Sequence, residues 1–385
     1  MTWGTVLLPA FGTKADKRTV LCHFLFTVLL KEQIHNGMIS AEMESAISQD
    51  HKNIDHLKAF AIILVVFYHT LFQADISYAN ITNICLTIGL GDVHVPLFIL
   101  IAGYLCHKQK IRTFYRKKVF RILIPFLFFS ILKLILNNLL DTQYLHAQGI
   151  GSQLWDAFVC GQLYWFCYCL LMMFLFAPLL WDRRILQWIL LGVMLAANVL
   201  LKAFDAELTD IFQLQNVICY SPYFLLGMIL SGYVFPGFRQ GQSRDHTQKS
   251  TPGMLVCTVL SLAGIALTGY LRFVFNVGDR QYLIDYVFGI CVMYLLYLLS
   301  ELTVRGRFTE RILRLVGKWS FQIMLLDPFW RIAVYMLVSQ FLQAGLLSAV
   351  ITTLADLALC CVTCMAFRRI PGLSVLTGLK PWKVN

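Results

Sequence analysis

"NIDHLKAFAIILVVFYHT" (Asn53–Thr70) decides how this 385-residue chain is read. From Ala59 to Tyr68 the stretch is apolar, as a helix crossing hydrocarbon requires, yet Asp55, Lys58 and His69 are ionisable. A helix turns about 100° per residue, so eleven residues make just over three turns. Lys58 and His69 therefore share a face, about 16 Å apart along the axis. Asp55 precedes Lys58 by three residues and joins that face. In one reading, Asp55 and Lys58 sit at the membrane interface and His69 is a satisfied core histidine. In the other, the face lines a bundle interior or a wet cavity, where ionisable groups inside membranes are usually found.

The rest of the chain is equally apolar. It is 58% hydrophobic and 14% charged, with a mean hydropathy of +0.68. Soluble domains run nearer 45–50% apolar and about 25% charged. Helices that cross roughly 30 Å of hydrocarbon need about 20 residues. Runs of that length lie near 54–74, 84–106, 119–137, 160–180, 185–203, 216–235, 254–274, 281–300, 316–338 and 344–367. The pattern predicts an all-α fold, a polytopic transmembrane bundle of about ten spans. An extension (1–52) precedes a membrane domain (53–370), and a cytoplasmic tail (371–385) follows it. Within the extension, Thr19–Leu30 is apolar but too short to span, and reads as an interfacial helix or an incidental extension. The polar, turn-rich stretch 236–253 reads as a loop between spans.

A net charge of +11 raises the question of a nucleic-acid partner. Its distribution argues against one. One side takes the segment before the first span, every second connection and the adjoining span ends. That side holds 27 of the 32 Lys and Arg. Such an excess marks the cytoplasmic face, which puts both termini in the cytoplasm. The twelve cysteines are scattered through apolar runs with no paired spacing and read as small buried side chains. No metal site is expected.

A second basic feature, "KQKIRTFYRKKVFRILIPF" (Lys108–Phe126), opens the third span at the cytoplasmic surface. Lys117 and Lys118 fall four and three residues before Arg121, so they can converge on one anion. The cluster is either a positive anchor on anionic lipid or a pocket for a polyphosphate, which needs several fixed cations.

These segments together resemble the acyltransferase-3 family of integral membrane acyltransferases, nearest its fucose-O-acetylase-like branch. The opening stretch is similar to the family's first helix, with Lys58 and His69 at the family spacing and Asp55 where the family has Asp. "HVPLFILIAGYL" (His94–Leu105), "RKKVFRILIPF" (Arg116–Phe126), "LYWFCYCLL" (Leu163–Leu171), "YFLLGMILSGY" (Tyr223–Tyr233) and "VGKWSFQIMLLDPFW" (Val316–Trp330) resemble later signatures in the same order. Two positions depart from the pattern: Ala102 stands for the usual Ser, and Asp327 for the usual His or Tyr. Asp327 is also four residues before Arg331, a spacing that favours an ion pair within one helix.

The resemblance implies transfer of an acyl group, commonly acetyl from acetyl-CoA, to a carbohydrate hydroxyl. Acyl-CoA would be a donor substrate and no cofactor would be bound. A neutral imidazole can take a proton from the attacking hydroxyl, and His69 is the candidate base. Asp55 lies about 21 Å down the axis, too far to orient His69, so it is expected to partner Lys58. Lys118 and Arg121, with Lys117, would bind CoA phosphates from the cytoplasm. His94 is a second candidate, as a relay base or as an interface residue. Trp165 and Tyr164 would either stack on a sugar ring or belong to an aromatic interface belt. The expected partners are acyl-CoA, a cell-surface or lipid-linked carbohydrate and the bilayer, at the cell (plasma or inner) membrane. The other readings are a transporter or flippase, and a non-catalytic homologue that assists polysaccharide export.

Overall fold

The computed structural model describes residues 53–74, 89–139, 149–204, 206–234, 251–274, 283–303 and 307–379. All of them belong to one compact unit beginning at Lys52. The extension over 1–52, and the loop at 236–253 for the most part, lie outside the described residues.

Among the described residues there is no strand. In lipid, a helix satisfies every backbone polar group within itself, so long apolar runs fold this way. The helices are α1 (Asn53–Gln73), α2 (His94–Tyr104), α3 (Ile111–Leu139), α4 (Ile150–Phe158), α5 (Trp165–Leu180), α6 (Arg184–Ala203) and α7 (Leu214–Val234). They continue with α8 (Thr251–Val274), α9 (Leu283–Thr303), α10 (Arg307–Lys318), α11 (Ser320–Val338), α12 (Leu346–Arg369) and α13 (Pro371–Leu376). Nine helices among the described residues are long and apolar enough to cross a membrane. Of the expected span near 84–106, the described part includes the apolar segment Gly89–Tyr104. The protein is an all-α, multi-pass membrane bundle.

Burial separates centre from rim. Half of the α1 apolar window is enclosed by protein, against 11% for α6 and for α8. The exposed Ile185, Trp188, Ile189 and Val193 of α6 form a lipid-facing surface. The core gathers α1, α2, α3, α5 and α7 around residues such as Ile62, Val66, Leu97, Phe126 and Phe174. Its tightest seam is the crossing of α2 with α7. A Cβ on Gly103 would lie 2.0 Å from the Phe224 carbonyl oxygen, and one on Gly227 would lie 2.2 Å from that of Leu100. Glycine at both places lets the backbones touch, the usual device where helices meet in lipid.

The expected ninth span begins four residues late. Residues 307–318 form the separate α10, in which Leu313 and Val316 are buried while Arg311, Arg314 and Lys318 are exposed. That polar face keeps α10 out of hydrocarbon, and the chain breaks at Trp319 before α11 starts at Ser320. Gly317 seats α10 on α1, since a Cβ there would meet the Asp55 carbonyl oxygen at 1.7 Å. Past α12, the expected tail is described as far as Leu379 and packs back on the bundle. Ser374 and Thr377 are buried, and Gln322 Nε2 donates to the Thr377 carbonyl at 3.2 Å.

Candidate active site

α1 presents His69 to α11. His69 Nδ1 lies 3.1 Å from Asp327 Oδ2. An ionised carboxylate only accepts, so Nδ1 is the donor of this bond, and in a neutral imidazole that leaves Nε2 as the acceptor. The Asp327 side chain is 1% exposed and that of His69 is 38% exposed, so a reachable base rests on a dry partner. Asp327 Oδ1 accepts from Arg331 Nε at 3.1 Å, the intrahelical pair that the spacing predicts. Arg331 does more than neutralise it. Its Nη1 donates to the His69 carbonyl and to Gln73 Oε1, each at 3.3 Å, and so ties α11 to α1 beside the imidazole.

Asp327 and Arg331 are the site residues that sequence reasoning missed. Asp327 reads from its spacing as consumed by Arg331, whereas its second oxygen reaches a helix 258 residues away. The signal available was an acid inside an apolar run at the position of a family motif.

His94 opens α2 close by. Its ring stacks on Tyr68 at 4.4 Å, and the Tyr68 ring lies 6.0 Å from that of His69. His94 is buried, and its Nδ1 donates to the Leu90 carbonyl at 2.6 Å, which again leaves Nε2 as the acceptor. The two imidazoles therefore flank one tyrosine.

Toward the other end of α1, Lys58 Nζ pairs with Asp55 Oδ1 at 3.3 Å, each side chain about a quarter exposed. Neither contacts His69. Lys118 of α3 turns inward, its ammonium 5.4 Å from the centre of the Phe174 ring, and is close enough to Lys58 and Arg121 to feel their charge. Lys117 and Arg121 are exposed. Lys108 is engaged elsewhere, in an ion pair with Asp182 between α5 and α6. Lys58 and Lys118 lie on two helices within range of each other's charge, which spacing along one helix does not reveal.

The two aromatic candidates part ways. Tyr164 is buried, and its hydroxyl donates to the Leu325 carbonyl at 3.0 Å. The bond pins Tyr164 to α11, three residues before Pro328 of the same helix. The Lys133 ammonium lies 5.2 Å from the centre of the Tyr164 ring. Trp165 is half-buried and stacks on Tyr220 at 5.3 Å. Among the described residues, no group of three His, Cys, Asp or Glu is placed to hold a metal ion.

A family model for an acyltransferase domain, Acyl_transf_3, matches residues 51–365. The chain belongs to this family. The match begins just before α1 and ends within α12, so the Acyl_transf_3 domain contains the whole His69–Asp327–Arg331 cluster. The protein is a membrane acyltransferase of that family. No curated protein and no solved structure matches the chain.

Proposed function

We propose that the protein moves an acetyl group from acetyl-CoA, bound at the cytoplasmic face, to a hydroxyl of a cell-surface or lipid-linked carbohydrate. The observation that carries this reading is the His69–Asp327 pair, which leaves Nε2 of a reachable imidazole ready to accept a proton. His69 Nε2 takes the proton of the acceptor hydroxyl as its oxygen attacks the thioester carbonyl. The new C–O bond forms, the C–S bond breaks, and the imidazolium returns the proton to the leaving CoA thiolate. Asp327 stabilises the imidazolium and fixes the tautomer without itself taking the proton.

The cationic group of Lys58, Lys118 and Arg121 supports the donor side of the reading, with Lys117 at its exposed edge. Lys58 and His69 are about 16 Å apart along α1. The pantetheine arm of CoA would bridge that distance and leave the acceptor to enter from the extracytoplasmic side. His94 and Trp165 stand on the acceptor side, beside Tyr68 and Tyr220 respectively. In this reading both termini lie in the cytoplasm and the protein in the cell membrane, on the strength of the Lys and Arg distribution.

The test is purified protein in lipid vesicles, given acetyl-CoA and a carbohydrate acceptor. Release of CoA thiol should match acylation of the acceptor and should vanish in His69→Ala. Passage of the carbohydrate across the vesicle wall with no thioester consumed would favour transport and overturn the proposal.

A further inference from the structure

A second carboxyl stands beside Asp327. Asp356 of α12 is fully buried and neighbours Asp327 across the seam between α11 and α12. Its Oδ1 faces the Cys360 thiol, with sulfur and oxygen 3.5 Å apart. Its Oδ2 is buried and receives no hydrogen bond from any described donor. Two ionised carboxylates side by side in a low dielectric repel strongly, so one of such a pair holds a proton. The surroundings decide which one. The groups facing the pair are His69 from α1, Lys133 from α3, Tyr164 before α5, Arg331 from α11, and Cys360 and Cys361 from α12, and the Lys133 and Tyr164 interactions are with Asp327. His69 Nδ1 and Arg331 Nε both donate to Asp327.

We propose that Asp356 is a positioning residue for the base: as the neutral acid it donates its O–H to Asp327 and holds that carboxylate toward His69. This assignment rests on the acyl-transfer reading of the His69 site. The torsion that orients an Asp carboxylate is soft. Arg331 holds only one edge of the carboxylate, through Oδ1, and the other edge is left to His69. A donor from α12 completes a three-sided grip, with α1, α11 and α12 each supplying one hydrogen bond to a single carboxylate. It also gives the proton of Asp356 an acceptor inside the membrane, where an unmatched polar group is costly.

The test compares three variants. Asp356→Asn keeps an N–H donor for Asp327, whereas Asp356→Leu and Asp356→Ala remove it. The last two differ in volume, so the comparison survives if one of them fails to accumulate. Misplacement of a catalytic group by about 1 Å can cost on the order of 100-fold. In acyl transfer, kcat per folded protein should fall roughly 10- to 100-fold in the non-donor variants with donor KM unchanged. Asp356→Asn should retain most of the rate. In an Asp327→Asn background the Asp356 variants should cost nothing further.

A second readout does not depend on turnover. In ¹⁵N-histidine spectra, the His69 Nδ1 signal, identified by its loss in His69→Gln, should move in Asp356→Leu or Asp356→Ala and stay in Asp356→Asn. Failure of the wild type to transfer acyl groups would sink the acyl-transfer reading and leave this spectroscopic comparison standing. A wild-type rate and an unmoved signal in the non-donor variants would overturn the role of Asp356. So would an equal loss in the Asn and non-donor variants.

Discussion

His69 and Asp327 meet at 3.1 Å across 258 residues of chain. Removing either should therefore remove the same function. His69→Ala should lower kcat by about 10²–10⁴-fold, the usual contribution of a general base. Asp327→Asn is expected to be nearly as damaging. An amide can donate to the ring and turn it so that Nε2 carries the proton, a swap that costs about 10⁴-fold in Ser–His–Asp enzymes. The double variant should be no worse than the worse single one. Turnover of purified variants decides it, and additive losses would mean that the two residues act separately.

Arg331 faces an almost wholly buried carboxylate, so its loss should be felt first in stability. Breaking a buried ion pair from one side costs about 3–5 kcal/mol, because the remaining charge has no partner. Arg331→Met should lower the melting temperature in detergent. Adding Asp327→Asn should recover much of that loss with no return of activity. A double variant as unstable as the single one would show that Arg331 acts through its bonds to His69 and Gln73 instead.

The donor site predicts a split in kinetic constants. Charge-assisted hydrogen bonds are worth about 1.5–3 kcal/mol each. Lys118→Gln with Arg121→Gln should raise KM for acetyl-CoA and leave the acceptor KM unchanged. Lys108→Gln is the control, since Lys108 is held by Asp182. Equal shifts in both substrate constants would assign the pair to the membrane surface.

Glycine at the α2–α7 crossing can be tested with one methyl group. Gly227→Ala places a carbon 2.2 Å from the Leu100 carbonyl, far inside contact distance, whereas nothing lies within 4 Å of a Cβ on Gly192. Overpacking costs about 1–3 kcal/mol or more. The yield of folded, monodisperse Gly227→Ala should drop, and that of Gly192→Ala should not. Equal yields would remove the crossing as a constraint.

Sidedness is open to labelling. In a cysteine-free background, Lys110→Cys should react with an impermeant thiol reagent only from the cytoplasm. Ser152→Cys should react only from outside. Both positions are exposed. Reaction of Lys110→Cys on intact cells would invert the orientation and, with it, the route of the acyl group.

What was legible in the sequence was local. Apolar length found the helices, and a spacing of three or four residues found Asp55–Lys58 and Asp327–Arg331, because such pairs lie on one turn of one helix. The break at Trp319 was hidden inside a run of suitable length, and the polar face of α10 became evident only with its packing on Asp55. The meeting of His69 with Asp327 joins different helices, and so does the nearness of Lys58 to Lys118. No spacing rule reaches between helices whose mutual rotation is set by close contacts such as Gly103 on Phe224 and Gly317 on Asp55. Tyr164 illustrates the converse. Its aromatic ring suggested a substrate, but its hydroxyl is held by the Leu325 carbonyl of α11.

The contacts of α1 carry a consequence for biogenesis. His69 meets Asp327 and Arg331, Thr70 meets Thr353 at 3.4 Å, Asp55 carries Gly317 on its carbonyl, and His56 faces the Ser300 carbonyl at 3.5 Å. Each of these partners belongs to the last third of the chain. Synthesis runs from the N-terminus, so α1 waits in the bilayer with His69 unmatched until the final helices arrive to cover it. A ribosome that stops before Ser320 would release a chain holding most of its membrane-crossing length and none of the partners of His69 and Thr70. Such a product is a target for the proteases that clear incomplete membrane proteins, not a partial enzyme.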